Sequence, residues 1–111
     1  MPKKLQKQSY DVVISTYAMH HLADEEKVDF IKQLFSVLNV NGRILIGDIA
    51  FPSRQELLFC REQAGDDWDE EEYYFVFEEL KSDLKAICYC AFHPYSFCGG
   101  VIVLRPIQKE A

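Results

Sequence analysis

The chain has 111 residues, 49% of them apolar and 27% charged, a balance that fits one small globular domain and excludes a disordered segment. Eighteen acidic residues against 12 basic ones leave a net charge of −6, which argues against a phosphate-backbone binder, because such proteins need clustered cations. No apolar run reaches about 20 residues, the length of a membrane span, and the N-terminus has lysines but no apolar signal-peptide stretch, so the expectation is a cytoplasmic protein with four reduced cysteines and neither membrane nor nucleic-acid partners.

Residues 1–9 read as a polar tail, and Lys3, Lys4 and Lys7 within it are too few for a nucleic-acid arm. Tyr10 to Ser15 (YDVVIS) is the first expected strand. Val12 and Ile14 point one way and Val13 the other, an apolar pattern on both faces that marks a strand covered on two sides in a parallel sheet. The period then changes. Asp24 is placed to cap a helix, with Glu25 and Glu26 favourable at its positive end. Val28, Ile31, Leu34, Phe35 and Leu38 fall at helical spacing, while Lys27, Asp29 and Lys32 are expected to face solvent. Asn41-Gly42 is the expected helix stop and turn.

Arg43 to Phe51 predicts a second two-sided strand, with Ile44 and Ile46 on one face and Leu45 and Ile49 on the other. Strand, helix and strand with short joints make a βαβ unit, whose strands should be parallel with a right-handed crossover. Ser53 and Glu56 form a capping-box pattern for a helix running to about Ala64 and stopping at Gly65. Asp69 to Glu72 is the expected start of a third helix with the stripe Tyr73, Val76, Phe77, Leu80 and Leu84. The acidic run Asp66, Asp67, Asp69, Glu70, Glu71 and Glu72 around Trp68 would then complement a helix N-terminus. Trp68, Tyr73 and Tyr74 are expected to pack in the core rather than to line a substrate lid. Ala86 to Phe92 reads as a strand, His93 to Ser96 as a turn, and Phe97 to Leu104 as a returning strand with a bulge at Gly99-Gly100. The chain ends in a second polar tail, 107–111.

Several groups carry chemistry worth weighing. His20-His21 lies just past a strand's carboxyl end, where it is either a contact in a ligand crevice or a helix-entry and packing pair. It has no partner at i+4 and no suitably spaced acid, so no metal is expected there. Ser15, Thr16 and Tyr17 form the same strand end. Asp48, at the matching level of the next strand, can orient a substrate, act as a base or cap the following loop. Cys88 and Cys90 share a strand face with Cys98 on the returning strand. Cys-x-Cys along a strand is not a zinc knuckle, so buried small residues are expected; Cys60 carries no motif.

Three segments in this order carry a resemblance: Tyr10-Asp11-Val12-Val13-Ile14-Ser15, then His20-His21-Leu22, then Leu38-Asn39-Val40-Asn41-Gly42-Arg43-Ile44-Leu45-Ile46-Gly47-Asp48. Together they resemble the C-terminal half of a class I S-adenosylmethionine-dependent methyltransferase, with Val40-Asn41 standing where that family often has Pro-Gly. Ser15-Thr16-Tyr17-Ala18 and Glu72-Tyr73-Tyr74 look like the small methyltransferases of Bacillus-type bacteria, and the likeness runs from Tyr10 to Arg105. It implies an α/β fold: a partial Rossmann-like sheet over residues 10–106, with four strands in the order 4-5-7-6, the last antiparallel, and helices packed on it. It also implies Ser15, Thr16, Tyr17, His20 and His21 as cofactor-binding residues for S-adenosylmethionine, and Asp48 and Phe51 as substrate-facing residues, in the intact family.

The family's glycine-rich cofactor loop has no counterpart, because none of Gly42, Gly47, Gly65, Gly99 and Gly100 forms a G-x-G-x-G after an early strand. The expectation is therefore a small-molecule methyltransferase present as a C-terminal fragment, neither active nor binding cofactor alone. The alternative is a non-enzymatic interaction module built on half the fold. In either case the apolar Tyr10–Ser15 strand becomes a sheet edge, which predicts a homodimer or pairing with a missing N-terminal half.

Overall fold

The computed structural model describes residues 10–70, 72–96 and 98–107. The tail expected at 1–9, most of the tail expected at 107–111, Glu71 and the expected strand start at Phe97 lie outside them. The elements run β1 (Tyr10–Thr16), α1 (Asp24–Phe35), β2 (Leu38–Phe51), α2 (Arg54–Ala64), a 3₁₀ turn (Gly65–Asp67), β3 (Phe75–Val76), α3 (Phe77–Leu84), β4 (Cys88–Pro94) and β5 (Gly99–Pro106).

The sheet order is β1-β2-β5-β4, with β3 added beside β2. β1 and β2 are parallel, as a βαβ unit requires, and β5 lies antiparallel between β2 and β4. This is the expected 4-5-7-6 order with one short extra strand. The alternation of β2 places Ile44 and Ile46 on one face, where β5 adds Ile102 and Leu104; all four are fully buried. Ile31 and Leu34 of α1 and Leu80 and Leu84 of α3 close over them in one cluster. Each such side chain contributes about 1.5–3 kcal/mol by leaving water. A smaller cluster of Phe51, Leu57 and Val76, joined by Trp68 and Tyr74, seats α2. Ser53 caps that helix by accepting from the Glu56 N–H at 3.3 Å, and Gly65 ends it at φ 56°, both at the expected positions.

Some local expectations fail, most of them where a distant partner decides the conformation. Asp24 is the first helical residue of α1, not its cap; the cap is Ala23, whose N–H is taken by the Glu26 carboxylate at 3.1 Å. Asn41-Gly42 does not end α1. The helix stops at Phe35, Tyr10 donates its N–H to the Val37 carbonyl at 2.8 Å, and β2 begins at Leu38. Asn41-Gly42 then falls where the β1–β2 register slips, between the pairs Tyr10/Leu38 and Val12/Arg43. The third helix begins at Phe77, because Phe75 and Val76 pair with Ala50 and Phe51 of β2 as strand. Its first turn holds Glu78 and Glu79, so the acidic run before it does not sit at a helix N-terminus.

Gly99-Gly100 is no bulge: the ladder to β2 runs through both residues, and the ladder to β4 runs unbroken up to Gly100. Gly100 is needed because a Cβ would collide with the Phe92 ring. Cys88 is buried and Cys90 half-buried, with their Sγ atoms 3.7 Å apart, but Cys98 is exposed, contrary to the buried reading. Tyr73 is exposed rather than core. Lys27, expected in solvent, is 2% exposed.

β1 is the outer strand of this order, and one of its faces is bare: Val12 is 40% and Ile14 65% exposed. The two-sided cover inferred from its sequence is therefore absent on one side among the described residues. Tyr10, Val12, Val13, Leu34 and Val37 line an apolar groove of about 230 Å³ along this edge.

Candidate active-site crevice

The parallel strands β1 and β2 end side by side, with Ser15 opposite Ile46 and Thr16 opposite Gly47. In open α/β sheets, ligands sit beyond such carboxyl ends. Ser15 is half-buried there, and Thr16 and Tyr17 are exposed. Tyr17 turns the chain in the left-handed region, at φ 51°. A bulky residue holds that conformation at a cost of about 1–3 kcal/mol, and strain of this kind gathers at functional sites. Two bonds hold it: the Tyr17 N–H donates to the Gly47 carbonyl at 2.7 Å, and its hydroxyl lies 2.5 Å from that of Tyr95 in the β4–β5 turn. The hydrogen bond from Tyr17 is the main cause that pushes the Tyr95 phenol up to about 12.

Asp48 on β2 is the buried acid of the site, 1% exposed. Its carboxylate accepts the Met19 N–H at 3.0 Å and the Ile49 N–H at 2.8 Å, and lies 2.9 Å from His20 Nδ1. With two backbone donors already on an acceptor-only carboxylate, the third contact assigns the proton to Nδ1 and leaves Nε2 with a free lone pair. Asp48 thus fixes both the loop entering α1 and the tautomer of His20. Neither role follows from its place on β2 alone.

His21 is exposed beside His20, with ring centroids 4.2 Å apart. Glu72 arrives from the far side of the chain, its Oε1 3.8 Å from His20 Nε2, while its other oxygen accepts the Tyr74 hydroxyl at 2.8 Å. Burial, assisted by that bond, pushes the Tyr74 phenol up to about 12. Lys27 locks the two segments together: its ammonium donates to the Leu22 carbonyl at 2.6 Å and to the Tyr73 carbonyl, and the Tyr73 N–H donates to the His20 carbonyl at 2.7 Å. Desolvation lowers the Lys27 pKa, opposed by the nearby Asp24, Asp48 and Glu26 charges.

The structure therefore brings Ser15, Thr16, Tyr17, His20, His21 and Asp48 to one lip. Phe51 is not on it; it lies in the packed cluster with Leu57, Val76 and Trp68. Lys27, Glu72 and Tyr95 join the lip without any local sequence signal. Glu72 was visible only as part of an acidic run, and Lys27 only as a polar position on a helix.

A mixed β1-β2-β5-β4 sheet with a polar lip at its parallel strand ends is the Rossmann-like arrangement of a methyltransferase. Known proteins share this fold and parts of this sequence. DhpI in its complex with SAH superposes with a TM-score of 0.66 at 15% identity, over 98% of this chain and 55% of that one. An uncharacterized methyltransferase of Oceanobacillus iheyensis is 34% identical over 95 residues, covering 78% of this chain and 40% of that protein. Another, from Bacillus cereus, is 35% identical over 81 residues, covering 73% of this chain and 34% of its own length. No family model matches the chain. It is a relative of these bacterial methyltransferases and carries a Rossmann-like methyltransferase fold, while spanning about two-fifths of the length of the Oceanobacillus protein.

Proposed function

We propose that this chain is the acceptor-side portion of an S-adenosylmethionine-dependent methyltransferase of small molecules, completed by a segment that carries the glycine-rich cofactor loop and docks along β1, the outer strand of the order β1-β2-β5-β4. The observation that carries the reading is the buried Asp48 holding His20 by Nδ1, 2.9 Å away, at the carboxyl ends of two parallel strands. The lip suits one wall of the cofactor site, with the Ser15 and Thr16 hydroxyls at the strand ends where open sheets hold ligands. Ser15, Thr16, Tyr17, His20 and His21 would line it.

When bound, the cofactor supplies an electrophilic methyl group. The chain's own residues contribute orientation and proton transfer. His20 takes the acceptor's proton at Nε2, and Asp48 stabilises the imidazolium that results, a pairing that typically contributes about 10²–10⁴-fold. The rest is positioning, because methyl transfer needs mainly an acceptor held in line.

The test mixes this chain with a second chain carrying the missing strand, glycine loop and helix. Calorimetric titration of S-adenosylmethionine is expected to be silent for each chain alone and to show binding for the pair. A stable pair that binds no cofactor sinks the proposal. The bare Val12 and Ile14 and the apolar groove beside them favour a second reading, a non-enzymatic module that dimerises through this edge. Self-association in sedimentation, with no cofactor binding by the reconstituted pair, would select it.

A further inference from the structure

We propose that His20, His21 and Glu72 form a binding site for a divalent transition metal of the zinc class. One nitrogen or oxygen atom from each lies within 4.8 Å of the other two, although Glu72 is remote in sequence from the His pair. Asp48 occupies Nδ1 of His20, so Nε2 is the atom presented to the site. A histidine whose second nitrogen donates to a buried, hydrogen-bonded carboxylate is what a metal-binding imidazole requires, since that carboxylate sets its tautomer and direction. Asp48 is itself held by the Met19 and Ile49 N–H groups. Glu72 is held on one oxygen by the Tyr74 hydroxyl, which leaves Oε1 facing His20.

The scaffold around the three groups is tied across the gap. The Tyr73 N–H donates to the His20 carbonyl, and the Lys27 ammonium bridges the Leu22 and Tyr73 carbonyls. Both ligand-bearing segments are therefore already fixed against each other. Metal–nitrogen bonds of about 2.0–2.1 Å set tetrahedral ligand atoms about 3.3 Å apart, so the site must contract by up to about 1.5 Å. His21 is exposed and Glu72 half-buried, and rotation of these two side chains supplies the movement. Two imidazoles and one carboxylate suit Zn²⁺, Co²⁺, Ni²⁺ or Cu²⁺; Mg²⁺ and Ca²⁺ prefer all-oxygen sites. Three protein ligands leave a fourth position for water or another ligand. The metal would occupy the nitrogen that the proton transfer above uses, so a loaded site silences that base. Metal binding itself does not depend on methyl transfer.

The test is a titration of the full chain with Zn²⁺, followed by thermal unfolding, and with Co²⁺, followed by its visible absorption. One equivalent is expected to bind, raising the melting temperature and giving the intense bands of tetrahedral cobalt. His21→Ala and Glu72→Gln each remove a ligand and should each weaken binding by more than the about 10–100-fold that loss of an outer-shell partner costs. Both sit off the main core, so neither should unfold the chain, and His93→Ala serves as the unaffected control. Absence of binding overturns the proposal. So does binding that survives His21→Ala and Glu72→Gln but disappears when the thiols are alkylated, which would place the metal on the cysteines.

Discussion

Replacing Lys27 by Met tests whether a buried cation holds the crevice together. Methionine keeps the apolar stem against the Phe75 and Tyr73 rings, from whose centroids the ammonium lies 5.2 and 5.8 Å. It removes the ammonium, which donates to the Leu22 and Tyr73 carbonyls. Stranding a part-buried carbonyl costs about 1–3 kcal/mol each, and relief of the desolvated charge returns part of that. The expected net loss is about 2–3 kcal/mol in urea unfolding, at about 4–8 °C of melting temperature per kcal/mol. Core contacts of Ile31 and Leu34 are unchanged, so the circular dichroism of the folded state should be too. A variant within about 0.5 kcal/mol of the parent, the range of ordinary surface changes, would refute the clamp.

The charge also sets a pH dependence. Burial lowers the Lys27 pKa from 10.5, so over the window between its depressed value and 10.5 the unfolded chain binds the extra proton. Stability then rises with pH across that window, relative to Lys27→Met, which has nothing to titrate. A flat difference between parent and variant over that range would show that the amine is solvated.

Four further outcomes follow from the geometry. Gly100→Ala forces a methyl into the Phe92 ring and should cost about 1–3 kcal/mol, read by urea unfolding. Ile14→Glu adds charge to the bare face of β1 and should abolish self-association or pairing in sedimentation while leaving the melting temperature within a few degrees. Asp48→Asn removes the negative charge beside His20 and one of the two acceptor oxygens, and should lower the methyl-transfer rate of the reconstituted pair by about 10²-fold or more, with a shifted pH profile. The Tyr74 phenol is raised to about 12, so its contribution is complete below the ordinary value of 10 and is lost as pH rises towards 12; Tyr74→Phe should erase that alkaline loss in pH-dependent unfolding.

What the sequence disclosed divides along the range of the forces involved. The alternation of Val12, Val13 and Ile14 and the Ser53 cap act within a few residues, so β1 and α2 were legible from local pattern alone. The sheet order was legible through resemblance, since no local signal says that β5 inserts between β2 and β4. Errors fell where a remote partner overrode the local period. Phe75 and Val76 fit a helical stripe, yet pairing with Ala50 and Phe51 makes them strand. Asn41-Gly42 has the chemistry of a turn, yet ladder bonds to β1 absorb it as an irregularity.

The same distinction runs through the crevice. Ser15, Thr16, Tyr17, His20 and His21 belong to one continuous stretch, and the strand end that precedes them marks their place. Lys27 faces inward because two carbonyls from different segments converge on it, and Glu72 counts only because the Tyr73 backbone bonds to His20. These are consequences of closure between segments about 50 residues apart, so no window on the sequence contains them. The strand-end half of the lip is thus written locally, while its acid and its clamp exist only once the chain is folded. Lys27→Met bears on this directly: losing the clamp should loosen Glu72 from His20 while leaving Ser15 and Thr16 in register with β2.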